Sequence, residues 1–377
     1  MHASSERWSS LVDPDQPGIW RYRRLLPVDP TVTPVSLGEG NTPLIPAGRF
    51  GEALGLSSLS LKLESSNPTW SHKDRLASLG VSVAAARGAE AVIVGSSGNQ
   101  GAAAAAYCAR AGLPCIVLTT AEIPPLMKLM IQSYGGMIVV VPTAADRGVL
   151  VEKSLATENW FPLSGYVQPP VGSHPAAIPA YASIAYELFE QTGGQLPDAV
   201  VVPTSHGDTI AGMWSGFQRL QELFPLEHLP RLIAVEPFGS LERTLAEDAA
   251  QPLPGWEGTT RAISIGGRVS TPQALATVRA SGGTGVGISD GAMRDAHRAL
   301  GREGLLVEPS SAMAAAALPA LLHRGLLRPD ERTVVLLSSS GLKDPEYATE
   351  FLDEVPSIAP ELDDLYGALR ASYAFRA

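Results

Sequence analysis

The sequence predicts an α/β fold with parallel sheets, and three observations carry that prediction. Short apolar, β-branched runs recur: AVIVG (91–95), PCIVL (114–118), MIVVVP (137–142), DAVVVP (198–203), RLIAVEP (231–237) and TVVLLSSSG (333–341). Helical stretches of a dozen residues or so separate them, such as AAAAAYCARAG and IAGMWSGFQRLQELF. That alternation builds βαβ units, whose strands pair in parallel. The length, 377 residues, fits two domains at about 150 residues each. Such a chain buries a core without disulfides or metals.

The remaining elements follow in chain order. Residues 1–36 are polar and proline-punctuated, as a surface arm would be. LSLKLE (59–64) alternates apolar and polar residues, the pattern of a half-buried strand. GYVQPPVGSHPAAIP (165–179) is rich in proline and glycine and marks a domain crossing. From about Pro345 the chain is polar and partly helical.

Composition removes several function classes. Hydrophobic residues are 45% and charged residues 18%, which excludes disorder over most of the chain. Lys and Arg number 28 against 38 Asp and Glu, a net charge of −10. With no basic run, the chain is a poor partner for nucleic acid or an anionic membrane. Its two cysteines, Cys108 and Cys115, make no framework and no CxxC. The start, MHASSERWSSLVDPDQPG, lacks the apolar segment of a signal peptide. No apolar run approaches the ~18 residues of a membrane span. The expectation is a soluble, cytoplasmic, two-domain enzyme or binding protein.

Four segments could carry chemistry. In NPTWSHKDR (67–75) a lysine follows a turn-prone NPT and opens a helix. The helix dipole disfavours a cation there, and burial would lower its pKa, which suits a nucleophilic amine. The competing reading is a solvated Lys73 paired with Asp74. GSSGNQG (95–101) joins a strand to a helix; it could offer backbone N–H groups to an anion, or be an ordinary capped turn. It is neither GxGxxG nor a P-loop, so a dinucleotide is not expected.

PTSHGDTIAG (203–212) places Thr204, Ser205, Gly207 and Thr209 at a second helix start, a plausible phosphate cup. Asp208 is awkward there, since its charge would repel a phosphate. His206 has no partner histidine at metal-ligand spacing, so no metal is expected. LLSSSGLKD (336–344) closes the last strand with serines at the end where α/β sheets bind ligands. In VEPSSA (307–312), Glu308 could be functional, or the serines could be caps. Together, a lysine, an asparagine, an anion-binding helix start and a late serine suit a phosphorylated aldehyde cofactor.

The order and spacing of these motifs resemble threonine synthase and its relatives among fold-type II pyridoxal 5′-phosphate (PLP) enzymes. The resemblance runs from RYRRLLP (21–27) through SLGEGNTPL (36–44), the four segments above and SGLKDP (340–345). It implies two domains, each a mostly parallel twisted sheet flanked by helices, with the active site in the cleft between them. Residues 1–75 and 176–377 would form the large domain and 76–175 the small one. Lys73 would be the Schiff-base lysine and proton shuttle. Asn99 would hydrogen-bond the cofactor's 3′ oxygen. Ser205, His206, Gly207, Asp208 and Thr209 would hold its phosphate, and Ser338 would face its ring nitrogen. Ser96, Ser97 and Gln100 would hold the substrate carboxylate, with His72 a further substrate contact or a packing residue. The resemblance also implies a homodimer.

Departures from the family pattern are specific. Trp70 stands where a glycine is usual, His72 where a phenylalanine is, and Leu76 where a glycine is. Ala176 and Ala177 occupy the place of a His-Arg pair whose arginine grips the phosphate of O-phosphohomoserine. Losing that guanidinium removes a charge-assisted contact worth about 1.5–3 kcal/mol. The expected activity is therefore elimination or replacement at the β or γ carbon of an amino acid. The alternatives are threonine synthase proper and a non-catalytic PLP-binding protein.

Overall fold

The computed structural model describes residues 2–165, 172–350 and 352–375. They form two compact units, Met1–Asp344 and Pro345–Ala377. The second unit carries two helices, Pro345–Thr349 and Leu362–Tyr373.

Among the described residues, ten strands lie in the first unit: β1 (Leu44–Pro46), β2 (Leu59–Leu63), β3 (Ala91–Gly95), β4 (Cys115–Thr119), β5 (Met137–Val140), β6 (Trp160–Pro162), β7 (Ala199–Pro203), β8 (Arg231–Glu236), β9 (Thr284–Gly287) and β10 (Thr333–Leu337). They make a six-stranded sheet in the order β1-β2-β10-β7-β8-β9 and a four-stranded sheet in the order β5-β4-β3-β6. All pairings are parallel except β1 with β2, which is antiparallel. The α/β architecture is as expected. The larger sheet is mixed because Leu44–Pro46 folds back along β2. The apolar alternation missed β1, β6 and β9, which have only three or four residues each.

The central strands β7 and β10 are buried at every position. Their continuous apolar runs reflect helices covering both faces of a parallel sheet. Val92 and Val94 of the smaller sheet share one hydrophobic core with Val200, Val202, Val334 and Leu336 of the larger. Leu76, Leu79 and Val83, on the helix Lys73–Ala86, belong to the same core.

The N-terminal segment departs from expectation. Residues 18–26 are anchored in the core through one face: Ile19, Trp20 and Tyr22 are fully buried in a 3-10 turn, while Arg24 is exposed. The two aromatics satisfy their polar tips inside, Trp20 Nε1 donating to Ser78 Oγ (2.8 Å) and Tyr22 OH to Glu190 Oε2 (2.7 Å). Their arginine neighbours give the sequence a surface-like composition. At the expected crossing, residues 166–171 lie outside the described set; on either side, Ser164 bridges Ser173. Both cysteines are free and buried. Among the described residues no helix is long and apolar enough to cross a membrane.

Candidate active site

The turn before Lys73 is stitched to the end of β10. Trp70 N–H donates to Asn67 O (2.8 Å), and Trp70 O accepts from Ser340 N–H (3.1 Å). Ser71 bridges Ser339. His72 N–H donates to Ser338 O (3.0 Å), and its ring Nδ1 lies 3.1 Å from the same oxygen. A carbonyl has no proton to give, so Nδ1 carries the hydrogen and Nε2 of the neutral ring is an acceptor. Loss of water, then the neighbouring Lys73, holds the His72 pKa well below its ordinary value. Trp70 adopts φ +64°, the left-handed region where glycine is at ease. This accounts for the glycine usual at that place.

Lys73 opens its helix half-buried, and its Nζ has no hydrogen-bond partner among the described residues. Nζ sits 5.6 Å from the centroid of the Tyr181 ring. Withdrawal from water pushes the ammonium pKa down, opposed by the carboxylates of Asp208 and Glu308. Asp74 is not its ion-pair partner. Its carboxylate accepts from Thr69 N–H (2.9 Å) and Thr69 Oγ1 (2.8 Å), closing the turn, and burial raises its pKa to about 7.

Two residues on, Arg75 is fully buried and fully engaged. It donates to both oxygens of Glu64 (2.8 Å each), to both oxygens of Glu187 (2.6 and 2.8 Å), and to Ser183 and Thr42. Lys62 Nζ joins this knot at Glu187 Oε2 (2.7 Å). Glu187 also takes the backbone N–H of Asn41 and Thr42, so the knot pins the GEGNTP loop.

The helix Asn99–Ala111 starts after β3, with Ser96 Oγ accepting from Gly98 N–H (3.2 Å). Ser96 and Ser97 are half-buried in this turn. Asn99 is buried and held at both ends. Its Oδ1 accepts from Lys343 Nζ (2.8 Å) and its Nδ2 donates to the Glu308 carboxylate (2.9 Å). Loss of water lowers the Lys343 pKa to about 8, against the pull of Asp74 and Glu308. Gln100 Nε2 reaches Ser173 Oγ at 2.9 Å.

The helix Asp208–Leu223 follows β7. Gly207, at φ +83°, makes the entry; a Cβ there would lie 2.5 Å from that of Ala274. The first-turn N–H groups of this helix have no partner within it. Ser205 is half-buried, His206 exposed and Thr209 buried. Asp208, awkward in the sequence, is occupied elsewhere. Its Oδ2 accepts from Ser173 N–H (3.0 Å) and Ser173 Oγ (2.7 Å), and its Oδ1 from Gln273 (3.2 Å).

Several motif residues therefore come together. His72, Lys73 and Ser338 are neighbours, and Ser339 Oγ, 3.4 Å from Asn99 Oδ1, links Asn99 to them. Ser338 Oγ pairs with Ser311 Oγ at 2.9 Å. Gln100 meets Asp208 through Ser173. Among the described residues no side-chain hydrogen bond ties Ser96 or Ser97 to this group. Ala177 is fully buried, and a Cβ on Gly80 of the Lys73 helix would lie 3.1 Å from its own, which leaves no room for an arginine. Arg147 runs along Gly95, half-buried and without a carboxylate partner among the described residues. Lys343, Ser173 and Tyr181 also stand at this site; of the three, only Lys343 is signalled by a motif, as the lysine of SGLKDP.

A family model, pyridoxal-phosphate dependent enzyme, matches residues 35–339. The chain belongs to the pyridoxal-phosphate dependent enzyme family. Its cofactor is PLP, and it is an enzyme of the threonine synthase-like kind. It is 34% identical to the threonine synthase of Methanocaldococcus jannaschii over 94% of this chain and 87% of that one. It is 33% identical to that of Mycobacterium bovis over 90% and 91%. The fold is also that of a fungal L-serine ammonia-lyase from Rhizomucor miehei, with TM-score 0.70, 22% identity, and coverage of 85% of this PLP enzyme and all of that chain. A tomato threonine deaminase superimposes with TM-score 0.68 at 20% identity, over 82% and 87% of the two chains.

Proposed function

We propose that this enzyme is a PLP-dependent lyase that eliminates or replaces a group at the β or γ carbon of an amino acid, with Lys73 as its catalytic residue. The carrying observation is the Lys73 amine: half-buried, at a helix start, with a lowered pKa and no hydrogen-bond partner. The surroundings suit the cofactor. Ser71 Oγ, two residues away, is buried without a partner among the described residues. The first turn after Gly207 offers free N–H groups to a phosphate.

Lys73 would hold the cofactor's aldehyde carbon. Ser205, His206, Gly207, Asp208 and Thr209 would hold its phosphate, with Asp208 contributing backbone because its carboxylate is engaged by Ser173. Asn99 would donate to the ring oxygen. Ser338 would face the ring nitrogen with a neutral hydroxyl. When bound, PLP supplies an electron-withdrawing ring that acidifies the substrate's α carbon. Lys73 Nζ then takes the α proton and returns it, after a leaving group has gone. Ser96, Ser97 and Gln100 would orient the substrate carboxylate at the second helix start. His72, fixed through Nδ1, would present Nε2 to the substrate or pack against it.

Lys73→Ala tests the reading. The expected variant folds, lacks the visible absorbance of lysine-linked cofactor and turns over no amino acid. Retention of that absorbance would sink the assignment.

The second reading is threonine synthase proper, converting O-phosphohomoserine and water to threonine and phosphate. The relatives at 33–34% identity bear that name, and the unpaired Arg147 beside Gly95 offers a guanidinium in place of the one lost at Ala177. Phosphate release from O-phosphohomoserine, diminished in Arg147→Ala, would decide for it. The reading also takes residues 76–175 as a small domain against 1–75 and 176–377, a homodimer as the assembly and the cytoplasm as the location. The two free thiols support the last.

A further inference from the structure

We propose that Lys343 is a positioning residue which, with Glu308, fixes the orientation of the Asn99 amide and so selects which of its atoms meets the cofactor. The proposal rests on the assignment of Asn99 to the cofactor ring.

A primary amide has one acceptor atom and two donor hydrogens. In Asn99 the acceptor Oδ1 takes the Lys343 ammonium at 2.8 Å. Nδ2 spans the two oxygens of Glu308 at 2.9 and 3.2 Å, contacts that one hydrogen can make in bifurcated form. That leaves its second hydrogen without a partner among the described residues. Turning the amide over would put N–H against an ammonium and an oxygen against a carboxylate. Both contacts would become repulsive, in a place where Asn99, Glu308 and Lys343 are all buried. The lock admits one orientation, and its free hydrogen is a donor suited to an anionic ring oxygen.

The clamp arms are themselves fixed. Lys343 ends a short turn whose Gly341 N–H donates to Leu306 O (3.0 Å) and whose Lys343 N–H donates to Ser340 O (3.2 Å). Glu308 Oε1 also accepts from Ser264 Oγ (3.1 Å), and the Glu308 carbonyl accepts from Ser311 and Ala312 N–H (3.0 and 3.1 Å) at the start of the helix Pro309–Ala316. Lys343 and Glu308 thus come from two segments whose backbones are joined, Val307 bridging Ser340 and Glu308 N–H donating to Ser339 O (3.2 Å). Neither needs to touch the cofactor to act.

The test uses the full chain and PLP. The dissociation constant of PLP from the apoprotein and the position of the visible band are measured for Asn99→Ala, Lys343→Met, Glu308→Leu, Glu308→Gln and the double variant N99A/K343M. Asn99→Ala is expected to move the band and weaken binding about tenfold, the effect of one hydrogen bond to a charged group. Lys343→Met and Glu308→Leu should move the band the same way and weaken binding several-fold. Glu308→Gln, whose carbonyl still accepts, should keep the wild-type band. The double variant should match Asn99→Ala, because a residue acting through Asn99 has nothing left to position.

If Lys343→Met and Glu308→Leu keep the wild-type band and affinity while Asn99→Ala does not, the clamp is overturned and the Asn99 assignment stands. Additive losses in the double variant overturn it equally. A silent Asn99→Ala removes the assignment and the clamp together. Should Lys343→Met fail to fold, by the melting temperature of its apoprotein, Glu308→Leu against Glu308→Gln decides alone.

Discussion

Lys73 and Arg75 are two cations on the first turn of one helix, and they have opposite fates. Arg75 spends all five of its N–H groups on Glu64, Glu187, Ser183 and Thr42. Lys73 spends none. The satisfied charge is structure: it ties the GEGNTP loop, β2 and the Glu187 helix to one point. The unsatisfied charge is kept at a cost, and a cost not offset inside the protein points to a ligand that offsets it. The helix positions the Lys73 amine by anchoring the residue two places further on.

That contrast can be broken in graded ways. Arg75→Met strands the buried Glu64 carboxylate and leaves Glu187 with Lys62 alone, so unfolding in denaturant should show a loss of about 3–5 kcal/mol. A loss below ~1 kcal/mol would mean the knot contributes little. Asp208→Ala removes the acceptor of Ser173 N–H and Oγ and should cost about 1–3 kcal/mol, besides loosening Gln100. Its PLP affinity should fall less than its stability, since only the backbone of residue 208 is assigned to the phosphate.

Glu236 extends the comparison to carboxylates. It is buried with no cation beside it among the described residues, accepting from Leu241 N–H at 2.7 Å, and burial raises its pKa to about 7. A raised acid takes up a proton in the folded state first, so its contribution is fully present below the unfolded value of 4.5 and is lost as pH rises to about 7. The stability of the wild type relative to Glu236→Gln should therefore fall by roughly 1–3 kcal/mol between those limits. No change in that difference would place the Glu236 carboxylate in water. Asp74, raised for the same reason, cancels because both proteins carry it. The smallest effect belongs to Lys73→Ala, whose apoprotein should unfold within ~1 kcal/mol of wild type or slightly above it. A large loss would give Lys73 a structural role after all.

The fold was legible where a strand was long and its helix regular. β7 and β10 are continuous β-branched runs and could hardly be anything else. β9 is TGVG, two of its four residues glycine, and only its neighbour β8 makes it a strand. The first segment misled because burial there depends on Ser78 and Glu190, partners 58 and 168 residues away. In the site, Lys73, Asn99 and Ser338 stood out through the turns and strand ends around them. Asp208 looked wrong because a carboxylate at a phosphate cup is judged by charge alone, and Ser173 could not be foreseen as its partner. Glu187 carries no local signal and Lys343 only that of the SGLKDP segment, because each acts through residues more than a hundred positions distant.

The left-handed turn at Trp70 has a practical consequence. It leaves an indole 39% exposed three residues before the reactive amine, whereas Trp20 is sealed in the core. The chain therefore carries its own fluorophore in the turn that leads to Lys73. Its emission should respond to a ligand taken up at that amine, so that binding can be followed in real time with no label attached.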